Sequence, residues 1–395
     1  MTVSRRNLLQ GAGIGVALAS LGKAASASVV DNPSLAPKSR QIPDDKSLQI
    51  ISLDRLELQA QKVLSDGAYA FISGGAGDEW TLHENRRAFS DFPILTHRLV
   101  GISAKQIDLT IDLLGHKLPY PILSSPAGVH TFAHPDGEIA SAAGVGAAGT
   151  IFQSSGASAK PLEAIAKAGA GPKWFQLYFN ADLGVTRSLL DRARAAGYTA
   201  IMVTADALGP GASDQYVSMG RPLPEGFTFG NHDPRYGGMG NFKNQKIDLT
   251  PADIEFVRTY SGLPVVVKGI MRGADADEAI KAGASAIQVS NHGGRQLDGV
   301  PAAITVLPDV VAHVQKRVPV IFDSGIRRGI DVFRAISLGA DAVALARPML
   351  YGLSVGGVKG VQSVFEHLRD ELHLAMLLAG VQSVKALSLD NLKKI

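Results

Sequence analysis

The 395-residue sequence contains no cysteine. This absence excludes disulfide bonds, metal sites built on cysteine, catalysis by a cysteine nucleophile and a lipid anchor attached to cysteine. No other metal site is expected. Long apolar runs are also missing, because no segment after residue 27 reaches the roughly 18 apolar residues of a membrane-spanning helix. We therefore expect no stable insertion into a membrane.

An excess of charge of either sign is absent from most of the chain. The formal net charge is +3, and residues 1–27 contain Arg5, Arg6 and Lys23 but no acidic residue, so the rest of the chain has equal numbers of basic and acidic side chains. A charge-neutral body argues against a surface for nucleic acid or for anionic membranes, since both need a basic excess. With 46% hydrophobic residues, the chain can bury a large core.

The first 27 residues are similar to an export signal. Ser4–Leu9 contains paired arginines ahead of two leucines, Gly11–Gly22 is uncharged, and Ala25–Ala27 fits a cleavage site. These features favour the twin-arginine pathway, and a general secretory signal is the alternative. We therefore expect a signal peptide at 1–27, a linker at 28–48 and an exported, periplasmic protein that folds around any cofactor before export.

Eight short apolar segments predict β-strands. They lack polar alternation and most are rich in β-branched residues, which is typical of buried parallel strands. They lie at 121–125, 150–155, 174–179, 200–205, 264–268, 286–290, 319–323 and 342–346. Alanine-rich helical stretches, including 134–148, 183–196, 274–282 and 327–338, separate them, and a further helix is expected at 361–380. The alternation predicts a fold of the α/β class, a (βα)8 TIM barrel within a single domain at 49–395. An open doubly wound sheet is the alternative, but the turn after the first strand lacks its glycine fingerprint.

Three features lie outside this alternation. Apolar residues at helical spacing predict an amphipathic N-terminal helix over Asp54–Phe71, and 105–120 resembles a hairpin around Gly115 and His116. The link after the fourth strand, at 207–250, is rich in glycine and proline and contains Tyr216, Phe227, Phe229, Tyr236 and Phe242. A loop of this length on the active-site side of a barrel predicts a lid.

Polar side chains follow most of the strands, at the rim where (βα)8 enzymes place their active sites. They are Ser154, Ser155, Gln176, Tyr178, Thr204, Asp206, Lys268, Ser290, His292, Arg295, Asp323, Arg327 and Arg347. The glycine and arginine residues after the last two strands suit a phosphate group, and a glycine turn with solvated arginines is the alternative. His292, with Asp206 and Arg295 at the same rim, suits a general base beside an anion-binding group.

The segment Ser290–Asp298 strongly resembles the FMN-dependent α-hydroxy acid oxidase/dehydrogenase family, which includes lactate oxidase and glycolate oxidase. The resemblance extends from about residue 50 to 390, through Gly74–Trp80, Trp174–Tyr178, Thr204–Asp206, Val267–Gly269 and Asp323–Gly329. It implies an FMN cofactor, a small-molecule substrate and an electron acceptor that is oxygen, a quinone or a cytochrome. The family often forms tetramers, so a homo-oligomer is expected.

The resemblance also implies roles for single residues. Pro126, Ala127, Gly128, Ser155, Gln176, Thr204, Lys268 and Ser290 would contact the flavin ring and ribityl chain. Asp323, Gly325, Arg327 and Arg347 would hold the ribityl-phosphate end. Lys268 would stabilise the anionic reduced flavin. His292 would be the catalytic base, oriented by Asp206, while Tyr178 would bind the substrate oxygen and Arg295 the substrate carboxylate.

The substrate site departs from the family pattern at three positions. The family binds the carboxylate with a tyrosine and two arginines, but Phe71 and Ser213 occupy the positions of the tyrosine and one arginine. A hydrogen bond to a charged group contributes about 1.5–3 kcal/mol, so each lost anchor should weaken binding of a lactate-like substrate by roughly tenfold to over a hundredfold. Ala157 replaces a pocket aromatic, which predicts a larger cavity.

Two departures concern the flavin. Gly128 occupies the position of an alanine that faces the reactive flavin edge, as in the monooxygenase branch, and Ala346 replaces a phosphate-site glycine. Our main hypothesis is an FMN oxidoreductase that oxidises a 2-hydroxy acid or a related, bulkier substrate. One alternative is a lactate-type oxidase, dehydrogenase or monooxygenase in which Tyr216, Arg221 or Arg235 rebuilds the anchor. The other is a non-catalytic flavin-binding paralogue.

Overall fold

The computed structural model describes residues 44–209, 211, 213–231 and 244–393. The predicted signal peptide, most of the predicted linker, and Arg235, Tyr236 and Phe242 lie outside the described residues. No helix within the described ranges is both long and apolar enough to cross a membrane.

Three helices precede the barrel: α1 (Leu53–Val63), α2 (Asp66–Ser73) and α3 (Trp80–Arg87). The prediction of one continuous helix over Asp54–Phe71 is therefore wrong, because two helices, α1 and α2, occupy this range. Leu64 is extended, with φ −79° and ψ 149°, and the Ser65 hydroxyl accepts a hydrogen bond from the Ala68 amide. Because this N-cap satisfies a free amide of the next helix, a new helix begins here in a new direction.

The predicted hairpin is confirmed. Strands β1 (Ile111–Leu113) and β2 (His116–Leu118) pair antiparallel, and a turn at Leu114 and Gly115 joins them. Both strands are shorter than the apolar segments that predicted them.

Eight parallel strands form the barrel. They are β3 (Ile122–Ser124), β4 (Phe152–Ser155), β5 (Lys173–Leu177), β6 (Ala200–Thr204), β7 (Val265–Ile270), β8 (Ala286–Val289), β9 (Val320–Phe322) and β10 (Ala342–Leu345). Their order in the sheet is β3-β10-β9-β8-β7-β6-β5-β4. The two end strands meet where the Ser124 amide donates to the Ile151 carbonyl at 3.2 Å. Each predicted strand is confirmed to within a few residues, and so is the (βα)8 barrel.

Helices lie between the strands and after them. They are α4 (Glu138–Ala147), α5 (Leu162–Ala166), α6 (Leu183–Ala195), α7 (Asp214–Ser218), α8 (Pro251–Ser261), α9 (Gly273–Lys281), α10 (Ala303–Val314), α11 (Gly329–Ser337) and α12 (Arg347–Ala379). Nearly every strand residue is buried. This burial explains why the strands read as continuous apolar runs.

Parts of the long link after β6 lie within the described residues. It contains α7, whose Tyr216 is buried, and the rings of Phe227 and Phe229 contact each other edge to face with centroids 4.8 Å apart. Its role as a lid remains a prediction.

The last helix, α12, is interrupted at Gly356 and Gly357. Residues 45–48 fill this interruption: the Lys46 amide donates to the Gly356 carbonyl at 3.2 Å, and Asp45 accepts from the Lys359 amide at 2.8 Å. The start of the described chain is thereby fixed to the C-terminal helix.

Candidate active site

A three-residue cluster lies at the C-terminal ends of β6, β7 and β8. His292 Nδ1 is 2.9 Å from Asp206 Oδ1, and Lys268 Nζ lies 3.2 Å and 3.3 Å from the two carboxylate oxygens. Lys268 Nζ is also 3.1 Å from His292 Nδ1. The structure thus brings together three residues that the sequence placed on separate strands.

The charges of this cluster fix the tautomer of His292. Burial alone would raise the pKa of the Asp206 carboxyl, but Lys268 and His292 hold that pKa well below its usual range. Asp206 is therefore ionised and accepts the Nδ1 proton, because Nδ1 cannot both donate to Asp206 and accept from the Lys268 ammonium group. Nε2 is then the basic nitrogen of His292, as a general base requires.

The backbone around His292 is held tightly. His292 has a left-handed φ of 58°, and its amide donates to the Ser290 hydroxyl at 3.0 Å. Asn291 and Asn85 exchange buried side-chain hydrogen bonds of 2.7 Å and 2.9 Å. This strained conformation persists because the surrounding contacts determine it, a pattern that is common at functional sites.

The ends of β4, β5 and β6 carry a connected row of polar side chains. The Ser155 hydroxyl donates to Gln176 Oε1 at 3.1 Å, and Gln176 Nε2 donates to Thr204 Oγ1 at 2.8 Å. Three further predicted flavin contacts, Pro126, Ala127 and Gly128, are half-buried in the loop that follows β3.

The ends of β3, β8 and β9 meet at Asp323. Its carboxylate accepts hydrogen bonds from the side chains of Ser125, at 3.0 Å, Gln288, at 2.6 Å, and Ser324, at 2.8 Å. Gln288 Oε1 in turn accepts a weak bond of 3.4 Å from Gln153 on β4, so a polar chain crosses the barrel interior.

Arg327 and Gly325 lie beside this group. Arg327 is 8% exposed, and its Nη1 donates to the Ile326 carbonyl at 3.0 Å. Its Nε is buried and has no hydrogen-bond partner among the described residues. A buried cationic donor without an acceptor suits a phosphate group. These residues therefore fit the ribityl-phosphate end of FMN.

Arg347 makes contacts that the sequence did not indicate. It donates from Nε to the Ile72 carbonyl at 3.0 Å, from Nη1 to the Gly293 carbonyl at 2.9 Å and from Nη2 to the Gly74 carbonyl at 2.9 Å. Burial and the nearby charge of Arg295 lower the pKa of the Arg347 guanidinium to about 9. One hydrogen on each Nη remains for a phosphate. Ala346, the residue before it, is half-buried at the N-cap of α12.

Arg295, like Arg347, contacts the C-terminal end of α2. Its Nη1 donates to the Phe71 and Gly74 carbonyls at 2.7 Å and 3.0 Å, and its guanidinium lies 5.0 Å from the centre of the Phe71 ring. Burial lowers the pKa of Arg295. Within the described part of the chain, Nε and Nη2 donate to no protein acceptor, so one edge of the guanidinium is open.

Three rings pack together next to Arg295, and we call Phe71, Phe132 and Tyr216 the aromatic cluster. Phe71 stacks on Phe132 with centroids 4.5 Å apart and meets the edge of Tyr216 at 5.3 Å. The Tyr216 hydroxyl donates to the Pro222 carbonyl at 2.9 Å. Ser213 is buried, and its hydroxyl accepts from the Tyr216 amide at 3.1 Å as the N-cap of α7.

The two small residues of the pocket lie against each other. A Cβ atom on Gly128 would be 2.8 Å from Ala157 Cβ and 3.0 Å from the Ala157 carbonyl oxygen, and the Val129 amide donates to that oxygen at 3.3 Å. The loop after β4 therefore occupies the place that a side chain at position 128 would take. Nearby, burial and, to a lesser extent, Asp206 raise the pKa of the Tyr178 hydroxyl, so Tyr178 is a protonated hydrogen-bond donor at neutral pH.

Sequence reasoning missed four residues of this region. Gln153 and Gln288 interrupt otherwise apolar strands, and these interruptions were a usable signal. Ser125, at the end of the first barrel strand, gave a weaker one. Phe132 gave none, because its contact with Phe71 joins segments about 60 residues apart in the chain.

Known proteins share this architecture. The family profile described as FMN-dependent dehydrogenase matches residues 60–394. An L-lactate oxidase from Streptococcus iniae is 43% identical over 343 residues, which cover 86% of this chain and 84% of that protein. The crystal structure of a lactate oxidase from Pediococcus acidilactici superposes with a TM-score of 0.85 at 40% identity, covering 91% of this chain and 99% of the other. An arginine-to-leucine variant of mandelate oxidase, solved with 2-hydroxy-phenylacetamide, gives a TM-score of 0.80 at 36% identity, covering 87% and 98%.

Proposed function

Because the chain belongs to the family of FMN-dependent dehydrogenases, we propose that it oxidises the hydroxyl-bearing carbon of a 2-hydroxy acid or a related, bulkier substrate. It is an FMN-dependent oxidoreductase that acts on CH–OH donors. One observation carries the assignment of its site. His292 Nδ1 lies 2.9 Å from an ionised Asp206, at the rim that also holds Arg295.

The reacting groups have distinct roles. His292 Nε2 takes the proton of the substrate hydroxyl, and Asp206 stabilises the imidazolium that forms. Tyr178 donates a hydrogen bond to the substrate oxygen, and Arg295 holds the group next to the reacting carbon through its open edge. When bound, FMN supplies the acceptor for the hydrogen and electron pair of the substrate C–H bond.

Successive groups of residues at the rim would hold the ring, the ribityl chain and the phosphate of FMN. Ser155, Gln176, Thr204 and Ser290 would contact the ring and ribityl chain, with backbone from Pro126, Ala127 and Gly128. Lys268 would place a positive charge beside the ring. Asp323 would bind the ribityl hydroxyls, and Gly325, Arg327, Ala346 and Arg347 would surround the phosphate. The orphaned Nε of Arg327 supports this direction of binding.

We further propose that the enzyme is a homo-oligomer, by family resemblance a tetramer, and that its electron acceptor is oxygen, a quinone or a cytochrome. The paired Arg5 and Arg6 support export to the periplasm by the twin-arginine pathway. Replacing both arginines by lysine should leave the enzyme in the cytoplasm, as measured by cell fractionation. Unchanged export would contradict this route.

Replacement of His292 tests the function. The purified protein should show the visible absorbance of oxidised flavin, and a true substrate should bleach it in the absence of oxygen. His292→Ala should slow this bleaching by about 10²–10⁴-fold, while its flavin content stays unchanged. His83→Ala, an exposed histidine on α3, is the matched control and should react like the wild type. A flavin-free protein, or an unslowed His292→Ala variant, would contradict the proposal.

The alternatives are distinguishable. A non-catalytic paralogue is not favoured, because His292, Asp206, Tyr178 and Lys268 are all retained. A small-acid oxidase has support in the lactate oxidases among the relatives. It predicts rapid anaerobic flavin reduction by L-lactate or glycolate, which stopped-flow measurements with mandelate as the comparison would reveal.

A further inference from the structure

We infer that the substrate carries a neutral acyl group, an amide or an ester, where the family's substrates carry a carboxylate. This inference rests on the proposed function and narrows the substrate class of the same site. Three features of the structure support it: the compensation of the Arg295 charge, the apolar surroundings of its open edge, and the hydrogen bonds of the neighbouring polar groups. We call the region formed by Arg295, Ser213 and the aromatic cluster the corner.

The charge of Arg295 is compensated without a substrate anion. The Phe71 and Gly74 carbonyls, which accept from Nη1 at 2.7 Å and 3.0 Å, lie at the C-terminal end of α2. Carbonyls at this end of a helix lack partners within the helix and attract cations. The face of the Phe71 ring, 5.0 Å away, adds a further favourable contact. Arg295 therefore acts as a cap of α2 and offers its remaining edge as a hydrogen-bond donor.

The rest of the corner is apolar. The aromatic cluster occupies the region where the family pattern places the tyrosine hydroxyl, and Phe71 has no polar atom in its side chain to offer. Ser213 is 5% exposed and short, and its hydroxyl is committed to the α7 cap. Among the described residues, a carboxylate placed here would gain hydrogen bonds from the open edge of Arg295 alone while losing its hydration, whereas a neutral acyl group loses much less hydration. The rings also provide a flat apolar surface for an amide or ester group.

Two residues could in principle rebuild an anchor within the described residues. The Tyr216 hydroxyl donates to the Pro222 carbonyl at 2.9 Å and so is already engaged. Arg221 lies at the end of the turn after α7, where its amide donates to the Tyr216 carbonyl at 3.1 Å. Its Nε is buried without a partner among the described residues. Arg221 is thus the competing anchor that an experiment has to address.

The oxidation does not require a carboxylate on the substrate, because every proton and electron that leaves a 2-hydroxy amide has an acceptor. The hydroxyl proton of a 2-hydroxy amide goes to His292 Nε2. The hydrogen on the same carbon leaves with the C–H electron pair, for which FMN, when bound, would be the two-electron acceptor, and a C=O bond forms to give the 2-oxo amide. The electron acceptor of the proposed function would take up these two electrons in turn, while the acyl carbonyl accepts a hydrogen bond from Arg295.

Matched pairs of compounds test the inference on the FMN-loaded, full-length enzyme. The pairs are mandelate with 2-hydroxy-phenylacetamide, and L-lactate with L-lactamide, measured by anaerobic flavin reduction. Calorimetric affinities of the corresponding products, benzoylformate and its amide, give a readout that is independent of turnover. We expect the neutral member of each pair to be favoured by about tenfold or more, corresponding to at least one missing charged hydrogen bond.

Variants that restore the missing anchors should reverse this preference. Ser213→Arg should raise the affinity for benzoylformate relative to its amide by about tenfold or more. Val217→Arg places the same charge on the exposed part of α7, and should leave the ratio unchanged. Because Ser213 is buried and its replacement could disturb folding, Phe71→Tyr provides a second variant. It adds only a hydroxyl to the existing ring and should shift the ratio in the same direction.

The outcomes separate this inference from the proposed function. If the carboxylates are favoured in the wild type, the inference is overturned, and loss of that preference in Arg221→Ala would identify Arg221 as the rebuilt anchor. If the Ser213→Arg and Phe71→Tyr variants fold but do not move the ratio, the role assigned to this corner is wrong. If flavin is bound but neither member of any pair reduces it, both the inference and the proposed oxidation fail.

Discussion

At the residue scale, Asp206 is a largely buried carboxylate whose charge is compensated by two neighbouring side chains. Its two oxygens contact Lys268 and His292, which offset the cost of removing the carboxylate from water. The same contacts orient the imidazole and fix its tautomer. One carboxylate therefore both pairs with the buried cation and holds His292 in the tautomer that the proposed base requires.

Asp206→Asn should change how stability depends on pH. Because the pKa of Asp206 is depressed in the folded state, its contribution is fully present above the unfolded pKa of about 4 and is lost as the pH falls further. The wild type should therefore lose stability relative to the variant between roughly pH 4 and pH 2, as measured by urea unfolding. Parallel curves for the two proteins across this range would contradict the assignment. Asp275→Asn, at an exposed residue of α9, is the control.

Gly128→Ala should destabilise the protein, because the new Cβ would lie 2.8 Å from Ala157 Cβ. Overpacking of this kind costs about 1–3 kcal/mol. Ala157→Gly should recover part of that loss, so thermal or urea unfolding of the two single variants and the double variant should show a favourable coupling. Strict additivity of the two effects would show that the residues do not contact each other.

At the scale of elements, two arginines hold the C-terminal end of α2 against the turn that follows β8. Arg295 and Arg347 come from different βα units, yet both donate to carbonyls of residues 71–74. Arg347 also contacts the Gly293 carbonyl, next to His292. The N-terminal helices are thereby connected to the turn that carries His292.

Arg347→Met keeps an apolar stem of similar length but removes all three carbonyl contacts. We expect faster amide hydrogen exchange in residues 72–76 and 292–295, because both segments lose a shared partner. Hydrogen exchange followed by mass spectrometry measures this effect. Arg194→Gln, at an exposed arginine on α6, should leave exchange in both segments unchanged. Protection that persists in Arg347→Met would contradict the connecting role.

The elements also show what could be predicted from sequence. The barrel strands were predictable because a strand buried on both faces has few polar residues, and His292 and Asp206 were predictable because polar residues follow those strands. The break between α1 and α2 was missed because apolar spacing continues through Ser65, and only the capping bond reveals it. The second role of Arg347 could not be found, since carbonyl contacts depend on tertiary packing that no side-chain pattern records.

At the scale of the whole molecule, the first described residues are joined to the last helix. Residues 45–48 fill the interruption of α12, and the Leu48 amide donates to the Ser363 hydroxyl at 2.9 Å. Gly357 makes this possible with φ 60° and ψ −142°, a conformation that is essentially restricted to glycine.

Gly357→Ala should therefore lower the free energy of unfolding by about 1–3 kcal/mol. Gly262→Ala is the matched control. Gly262 also has a positive φ, 67°, but with ψ 8° it lies in the ordinary left-handed region, and a side chain there would meet no atom within 4 Å. Chemical unfolding of both variants should show the larger loss for Gly357→Ala. An equal loss of unfolding free energy in the two variants would mean that the backbone at position 357 is no more strained for alanine than the backbone at position 262.

The carbonyl of Gly74 accepts from both Arg295 and Arg347, at 3.0 Å and 2.9 Å. If Arg295 binds the substrate and Arg347 the cofactor phosphate, as proposed, binding of anions at the two arginines would be thermodynamically linked. An anion at one reduces the positive potential at the other, and the effect is reciprocal. A negatively charged substrate at Arg295 would thus promote dissociation of a phosphorylated cofactor from Arg347, by the same factor by which that cofactor weakens the substrate. A neutral substrate avoids this antagonism, so the enzyme could saturate with substrate without loosening its flavin.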